Sequence, residues 1–341
     1  MTDQSAATVP DTQISGTTPA NGGHSEIRNY LLNRGNSAWA DGSFRWLMIL
    51  CAISIFFIVA LIAFELVVRS QLTINKFGLS FFFKTAWNPI RNNYGALPFI
   101  YGTLVSSLIG LIIAVPLAIG VATFLTEMCP KFLRGPLSFL TELLAAIPSV
   151  VYGLWAIFVL VPILRLHVNP VLIKLLGWTG LFERPDYGVG MFAAGVILSI
   201  MILPIISSLT REVMTAVPST QREAVLALGA TRWEMIRMGV LRNARIGIVG
   251  AMILGLGRAL GETMAVTMII GNRPDILRNL LAPAYSMASV IANEFTEAAD
   301  PMYLSALVEI GLALFIVTII VNALARLLVW AVTRGAPARV A

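Results

Sequence analysis

The chain has 341 residues, of which 57% are hydrophobic and only 12% charged, with a mean hydropathy of +0.81. A water-soluble globule of this size cannot bury so much apolar surface, and ordinary soluble domains carry about twice that share of charge. A soluble enzyme or a DNA-binding protein is therefore excluded, and lipid is the expected solvent for most of the chain.

Residues 1–40 are a different material, rich in Ser, Thr, Gly, Asn and Gln and poor in large apolar side chains. They read as a disordered cytoplasmic tail, and they lack the short apolar core and small-residue cleavage site of a secretory signal. Residues 41–341 read as one all-α membrane domain. Six apolar runs, each long enough to cross a bilayer, are expected near 45–68, 99–125, 137–164, 189–212, 246–270 and 303–332. Gly110, Pro116, Pro148 and Pro204 fall inside these runs. Lipid-embedded helices tolerate such residues, which permit kinks and close packing.

Basic residues set the orientation. With the amino terminus inside, thirteen Lys and Arg fall on the inner side and nine on the outer, with Arg258 and Arg326 within spans. Both termini are then cytoplasmic. Trp87, Tyr94, Trp178 and Tyr187 fall in the outer loops, where amphipathic rings anchor at the interface. The Phe-rich stretch 71–98 reads as a partly buried interfacial helix. Cys51 and Cys129 do not form a disulfide framework, and the two histidines lie far from both, so no zinc site and no cofactor is expected. No glycine-rich loop ends in Gly-Lys-Ser or Gly-Lys-Thr, so uphill movement would draw on an ion gradient or on another subunit.

The cytoplasmic loop at about 213–245 carries the densest local signal. Thr220-x-x-Glu223 is a capping-box pattern that can open a helix, Gly229 fits its stop, and Thr231-x-x-Glu234 opens a second helix through Trp233. Two short helices meeting at Gly229 would present small residues outward, either as a plain connector or as a knob for a partner groove.

In the fifth run, Arg258 falls about 18 Å along the helix, near mid-bilayer, with Glu262 four residues on and therefore on the same helix face. An ionisable group at that depth should face protein or water. The pair is either a self-neutralising brace or an anion site. Arg supplies a fork of donors to an oxyanion. A neighbouring carboxylate would accept a hydrogen bond from protonated phosphate and repel sulfate. Gly255, Gly257 and Gly261 bare the backbone for close packing or for a ligand. Glu309, Glu142 and Glu65 read as snorkelling or locally paired carboxylates, and Arg326 as a headgroup anchor. Asn293-Glu294 falls in the outer loop, at an outer gate or a partner contact.

The stretch Glu223-Ala224-Val225-Leu226-Ala227-Leu228-Gly229 resembles the EAA motif of bacterial ABC import permeases, with Val225 in place of its second alanine. The stretch GLGRALGETMAVTMIIGN, followed by Ala292-Asn293-Glu294-Phe295, resembles the phosphate branch of these permeases, and the likeness spans residues 45–335. The resemblance implies the six-helix type I ABC importer permease fold with a cytoplasmic coupling helix. By the same resemblance, Glu223, Ala224, Gly229, Ala230 and Trp233 engage an ATPase, and Arg258 and Glu262 are the charged pair implicated in phosphate passage. It further implies inorganic phosphate as substrate, a second related permease, two ATP-binding subunits that carry the ATPase activity, and a phosphate-binding protein outside the membrane. A gradient-driven carrier and an importer of another oxyanion are the rivals. The first leaves the two-helix loop unexplained, and Glu262 argues against the second.

Overall fold

The computed structural model describes residues 38–333; the expected tail lies outside the described residues apart from its last three positions. The contact pattern divides the chain after Leu61, and everything that positions the candidate site belongs to the part from Ile62 onward. Among the described residues the fold is helical, with no β-sheet.

Six helical segments are long and apolar enough to cross a membrane, as the sequence predicts: Asp41–Arg69, Leu97–Met128, Ser149–Thr179, Met191–Thr215, Arg232–Leu260 and Pro301–Trp330. The first lies in helix α1 (Ala38–Arg69), followed by the short α2 (Gln71–Phe77). Then come α3 (Leu97–Thr123, continued by a π-turn to Met128), α4 (Lys131–Ala146) and the third crossing segment from α5 (Ser149–Trp155) onward. Next are α6 (Met191–Thr215), α7 (Ser219–Ala227) and the fifth crossing segment, α8 (Arg232–Leu260). The last three are α9 (Met264–Ile269), α10 (Met287–Glu294) and α11 (Pro301–Thr333).

Two crossings differ from the expected bounds. The third was expected over 137–164, yet the chain turns extended at Ile147 and Pro148, and the crossing begins at Ser149. Proline removes its own N–H and biases the preceding residue away from helical ψ, so the break falls there. The severed α4 is amphipathic, with Lys131, Arg134 and Glu142 among its polar residues; Arg211 of α6 reaches Glu142 at 3.0 Å. Such a helix lies along an interface rather than through one. The fifth crossing was expected over 246–270. It starts at Arg232 instead and stops at Leu260, with Gly261, Glu262 and Thr263 outside any helix.

Helix α6 buries more of its length than any other crossing segment and forms the centre of the largest apolar cluster. A Cβ at Gly110 of α3 would meet Leu198 Cβ at 3.0 Å, and one at Gly195 of α6 would overlap Ile109. The two backbones are thus brought together by paired small residues, the general device for packing helices in lipid. A second cluster gathers Phe81, Tyr94, Phe99, Tyr285 and residues of α10 and α11. A third gathers Ala122, Met214, Val217, Met235, Ile236, Val240, Ala244 and Ile248 beneath α7.

Candidate functional site

The first half of the site is α7 and the turn into α8. Helix α7 begins at Ser219, after Pro218, and no side-chain cap is made there. Thr220 is therefore inside the helix, and the first expected capping box is absent; Pro218, extended at φ −58° and ψ 142°, sets the entry instead. The second box is present. Thr231 Oγ1 accepts from Glu234 N at 3.3 Å, and Glu234 Oε2 accepts from Thr231 N at 2.8 Å. Between the helices Gly229 has φ +81°, a left-handed turn that L side chains rarely adopt.

This loop presents its candidate residues to the outside. Glu223, Ala224, Gly229 and Trp233 are exposed and Ala230 is half-buried. Leu226, Leu228 and Trp233 are 43%, 89% and 64% exposed. These large apolar side chains lie on one short loop, and the same loop is fixed from below. Val225 packs on the third cluster. Arg222 donates to Glu127 Oε1 (3.1 Å), Met214 O (2.8 Å) and Val217 O (2.5 Å). The Arg222 and Glu127 side chains are only 20% and 9% exposed. Asn243 of α8 donates to Gln221 and to Gly239 O (2.6 Å). Helix α7 is thus tied to the ends of the second and fourth crossings and to the first half of the fifth. The sequence reading missed this anchor, because Arg222 and Glu127 are 95 residues apart and no local pattern joins them.

The second half of the site is the end of α8. Arg258 and Glu262 were expected on one helix face, but the helix ends between them. Arg258 sits in the last turn, and Glu262 lies beyond the C-cap Gly261. Glycine is the weakest helix former apart from proline and commonly ends helices. Among the described residues the two side chains form no ion pair. Glu262 is buried, and its Oε1 accepts from Ala265 N at 3.3 Å, at the start of α9. Arg258 is exposed to a cavity of about 1180 Å³ between α8 and α11.

The glycines around Arg258 divide into two kinds. A Cβ at Gly255 would meet Ile206 of α6 at 2.7 Å, so Gly255 serves packing. A Cβ at Gly250 or Gly257 would meet nothing within 4 Å, so these two open the cavity. Arg326, expected as a headgroup anchor, lines the same cavity.

Other residues settle partly as expected and partly not. Glu65 pairs with Arg69 at 2.6 Å, a local bridge as expected. Glu309 neither snorkels nor pairs locally: it is 1% exposed, and its Oε2 has no partner among the described residues. It lies on the face of α11 that carries the buried Ala306, Ile310 and Ala313. Glu294 accepts from Trp87 Nε1 (2.9 Å) and Tyr303 Oη (2.6 Å), and Asn293 donates to Tyr285 Oη (3.1 Å). Tyr94 stacks on Tyr303 with ring centres 5.8 Å apart and meets Trp87 edge-on at 5.1 Å. Tyr94 is therefore buried and Trp87 half-buried in the second cluster, whereas Trp178 and Tyr187 are exposed. Burial pushes the Tyr94 hydroxyl up to about 12, with Asp300 and Glu294 adding to the shift. Burial raises Tyr285 in the same direction.

Six helices long and apolar enough to cross a membrane, an exposed two-helix loop anchored to three of them, and an arginine that faces a cavity with no ion-pair partner among the described residues fit a multi-pass membrane transport permease. The family model described as binding-protein-dependent transport system inner membrane component matches residues 114–334. The protein named phosphate transport system permease protein PstC from Haemophilus influenzae is 46% identical over 86% of this chain and 94% of its own. Its namesake from Mesorhizobium japonicum is 48% identical over 78% of this chain and 82% of its own. The chain belongs to the family of binding-protein-dependent inner-membrane transport components and, within it, to the PstC permeases. A crystal structure of a bacterial ABC transporter involved in the import of the acidic polysaccharide alginate shares the fold. Its TM-score is 0.57 at 17% identity, over 87% of this chain and all of that one.

Proposed function

We propose that this chain is a membrane permease subunit of an ATP-driven importer of inorganic phosphate in a bacterial plasma membrane, with both termini cytoplasmic. The observation that carries the reading is Arg258: a guanidinium at the end of a crossing helix, open to a cavity and with no ion-pair partner among the described residues. Its chemistry suits an oxyanion, and the curated relatives are named as phosphate permeases. Glu262 supplies the selection. One of its oxygens is used at the start of α9. Glu262 is buried and outside the lining of the Arg258 cavity, so it meets the ion only where the chain beyond Gly261 opens; there its other oxygen accepts a hydrogen bond from a protonated phosphate, and its charge repels sulfate, which has no proton to give.

The partners follow from the same reading. A second related permease completes the pore, a phosphate-binding protein delivers the ion outside, and two ATP-binding subunits act on the exposed loop. Glu223, Ala224, Gly229, Ala230 and Trp233 form the surface that those subunits press. The Arg222–Glu127 bridge and the apolar cluster below it make α7 a stiff lever rather than a loose connector. A conformational change needs different contacts in the two states of the ATPase, and exposed Leu226, Leu228 and Trp233 offer the apolar area for them.

The test uses the assembled importer in proteoliposomes, with labelled phosphate uptake measured against sulfate as competitor. Uptake driven by ATP and undisturbed by excess sulfate is expected. Uptake without ATP, or a preference for sulfate, overturns the reading.

A further inference from the structure

We infer that Arg326 is a second contact for the phosphate ion, placed on the inner side of Arg258 along one path. This rests on the phosphate reading above and extends it from one residue to a route.

The cavity has two walls with different roles. The α8 wall is open at Gly250 and Gly257, where a Cβ would meet nothing, and carries Arg258. The α11 wall carries Thr318, Asn322 and Arg326, spaced four residues apart and so aligned on one helix face. That stripe covers roughly 12 Å along the axis. Because α8 and α11 run in opposite senses across the membrane, the stripe leads from the level of Arg258 toward the side of the coupling loop. The remaining wall is largely aliphatic, and no acidic side chain lines it.

Two guanidinium groups thus share one apolar-walled cavity, and neither has a carboxylate partner among the described residues. Both side chains are exposed to the cavity, and a guanidinium between apolar walls with no carboxylate beside it attracts an anion. Two weaker contacts in series suit transport, because an ion must leave each site as readily as it enters. Handing phosphate from Arg258 past Thr318 and Asn322 to Arg326 meets that need.

The phosphate group in question is that of the free ion; a lipid headgroup offers the same oxyanion, so the test separates the two. The complete importer, with its second permease, ATP-binding subunits and binding protein, is reconstituted in vesicles of phosphatidylcholine alone and of phosphatidylcholine with phosphatidylglycerol. Labelled phosphate uptake and ATP hydrolysis are read together. R326Q is expected to assemble and to keep hydrolysis stimulated by the loaded binding protein, while uptake falls about tenfold in both lipids, the scale of one charge-assisted contact. R326K should lose only about threefold, since it keeps the charge without the fork. Wild-type uptake in R326Q overturns the inference, as does a deficit confined to vesicles with phosphatidylglycerol, which would mark a headgroup contact. Should R326Q fail to assemble, N322L leaves both arginines in place and is expected to slow uptake, and wild-type uptake in N322L and R326K together overturns the inference. Failure of the unmodified importer to take up phosphate would instead overturn the phosphate reading itself.

Discussion

Arg222 on α7 and Arg258 in the last turn of α8 solve opposite problems. Arg222 is fully engaged: a carboxylate and two backbone carbonyls take its donors, and its side chain is mostly covered. Arg258 has no ion-pair partner among the described residues and faces open space beside Gly257. The same side chain thus serves as a structural rivet where its donors are spent and as a candidate ligand where they are not. Arginine in a membrane segment tells little by itself; what its donors meet decides.

The contrast can be broken at either end. The largest effect is expected from R258Q on the proposed path, with uptake reduced about 100- to 1000-fold, the scale of losing a preorganised charged donor. Assembly should be unchanged, because Arg258 holds nothing else together; size-exclusion profiles and uptake assays check both. R222A should behave in the reverse way. It strands Glu127 with only 9% exposure, and breaking such a pair costs roughly 3 kcal/mol or more. Thermal unfolding of the complex should show the loss, and R222K should restore little of it, since lysine cannot reproduce the forked donors. If R222A unfolds like wild type, the rivet is not one.

Smaller effects sharpen the picture of the loop. L228D places a charge on the most exposed apolar side chain of the loop. It should lower binding-protein-stimulated ATP hydrolysis about tenfold through lost apolar contact with the ATPase, while stability stays within about 0.5 kcal/mol, as for surface changes generally. T231A removes the one capping box found and should cost about 1 kcal/mol of stability. The smallest effect concerns the outer aromatic cluster. Tyr94 is held neutral up to about 12, against an ordinary value of 10.0. Its folded-state value is raised, so its contribution is complete below pH 10 and is lost as pH climbs from 10 toward 12. Alkaline unfolding followed by tryptophan fluorescence should show that loss, and Y94F should remove this component.

Much of the fold is legible in the sequence because lipid enforces a simple rule: backbone groups must be satisfied within a helix, and a helix must be apolar over about 20 residues. The six crossings follow from it. The bounds of the third and fifth do not, because the sequence cannot say whether Pro148 or Gly261 kinks a helix or ends it. Gly261 had a second consequence. Spacing of four residues promised that Arg258 and Glu262 share a face, and the helix stop separated them into an open cation and a buried carboxylate. The loop was legible where the signal was local, at Gly229 and at the Thr231–Glu234 box. It was silent on the Arg222–Glu127 bridge, whose partners meet only through the packing of the second and fourth crossings. Glu309 and the Trp87–Glu294–Tyr303 cluster show the same limit: helix rotation and tertiary contact, not composition, decide which polar groups go inside.

The most direct test of the central claim is a paired measurement on the reconstituted importer carrying either the unmodified chain or R258Q: ATP hydrolysis and labelled phosphate uptake in the same vesicles. The account predicts that phosphate-loaded binding protein drives both in the unmodified complex, and that R258Q keeps an assembled, ATP-hydrolysing complex that no longer moves phosphate. Wild-type phosphate uptake in R258Q, or uptake that proceeds without ATP, would contradict it.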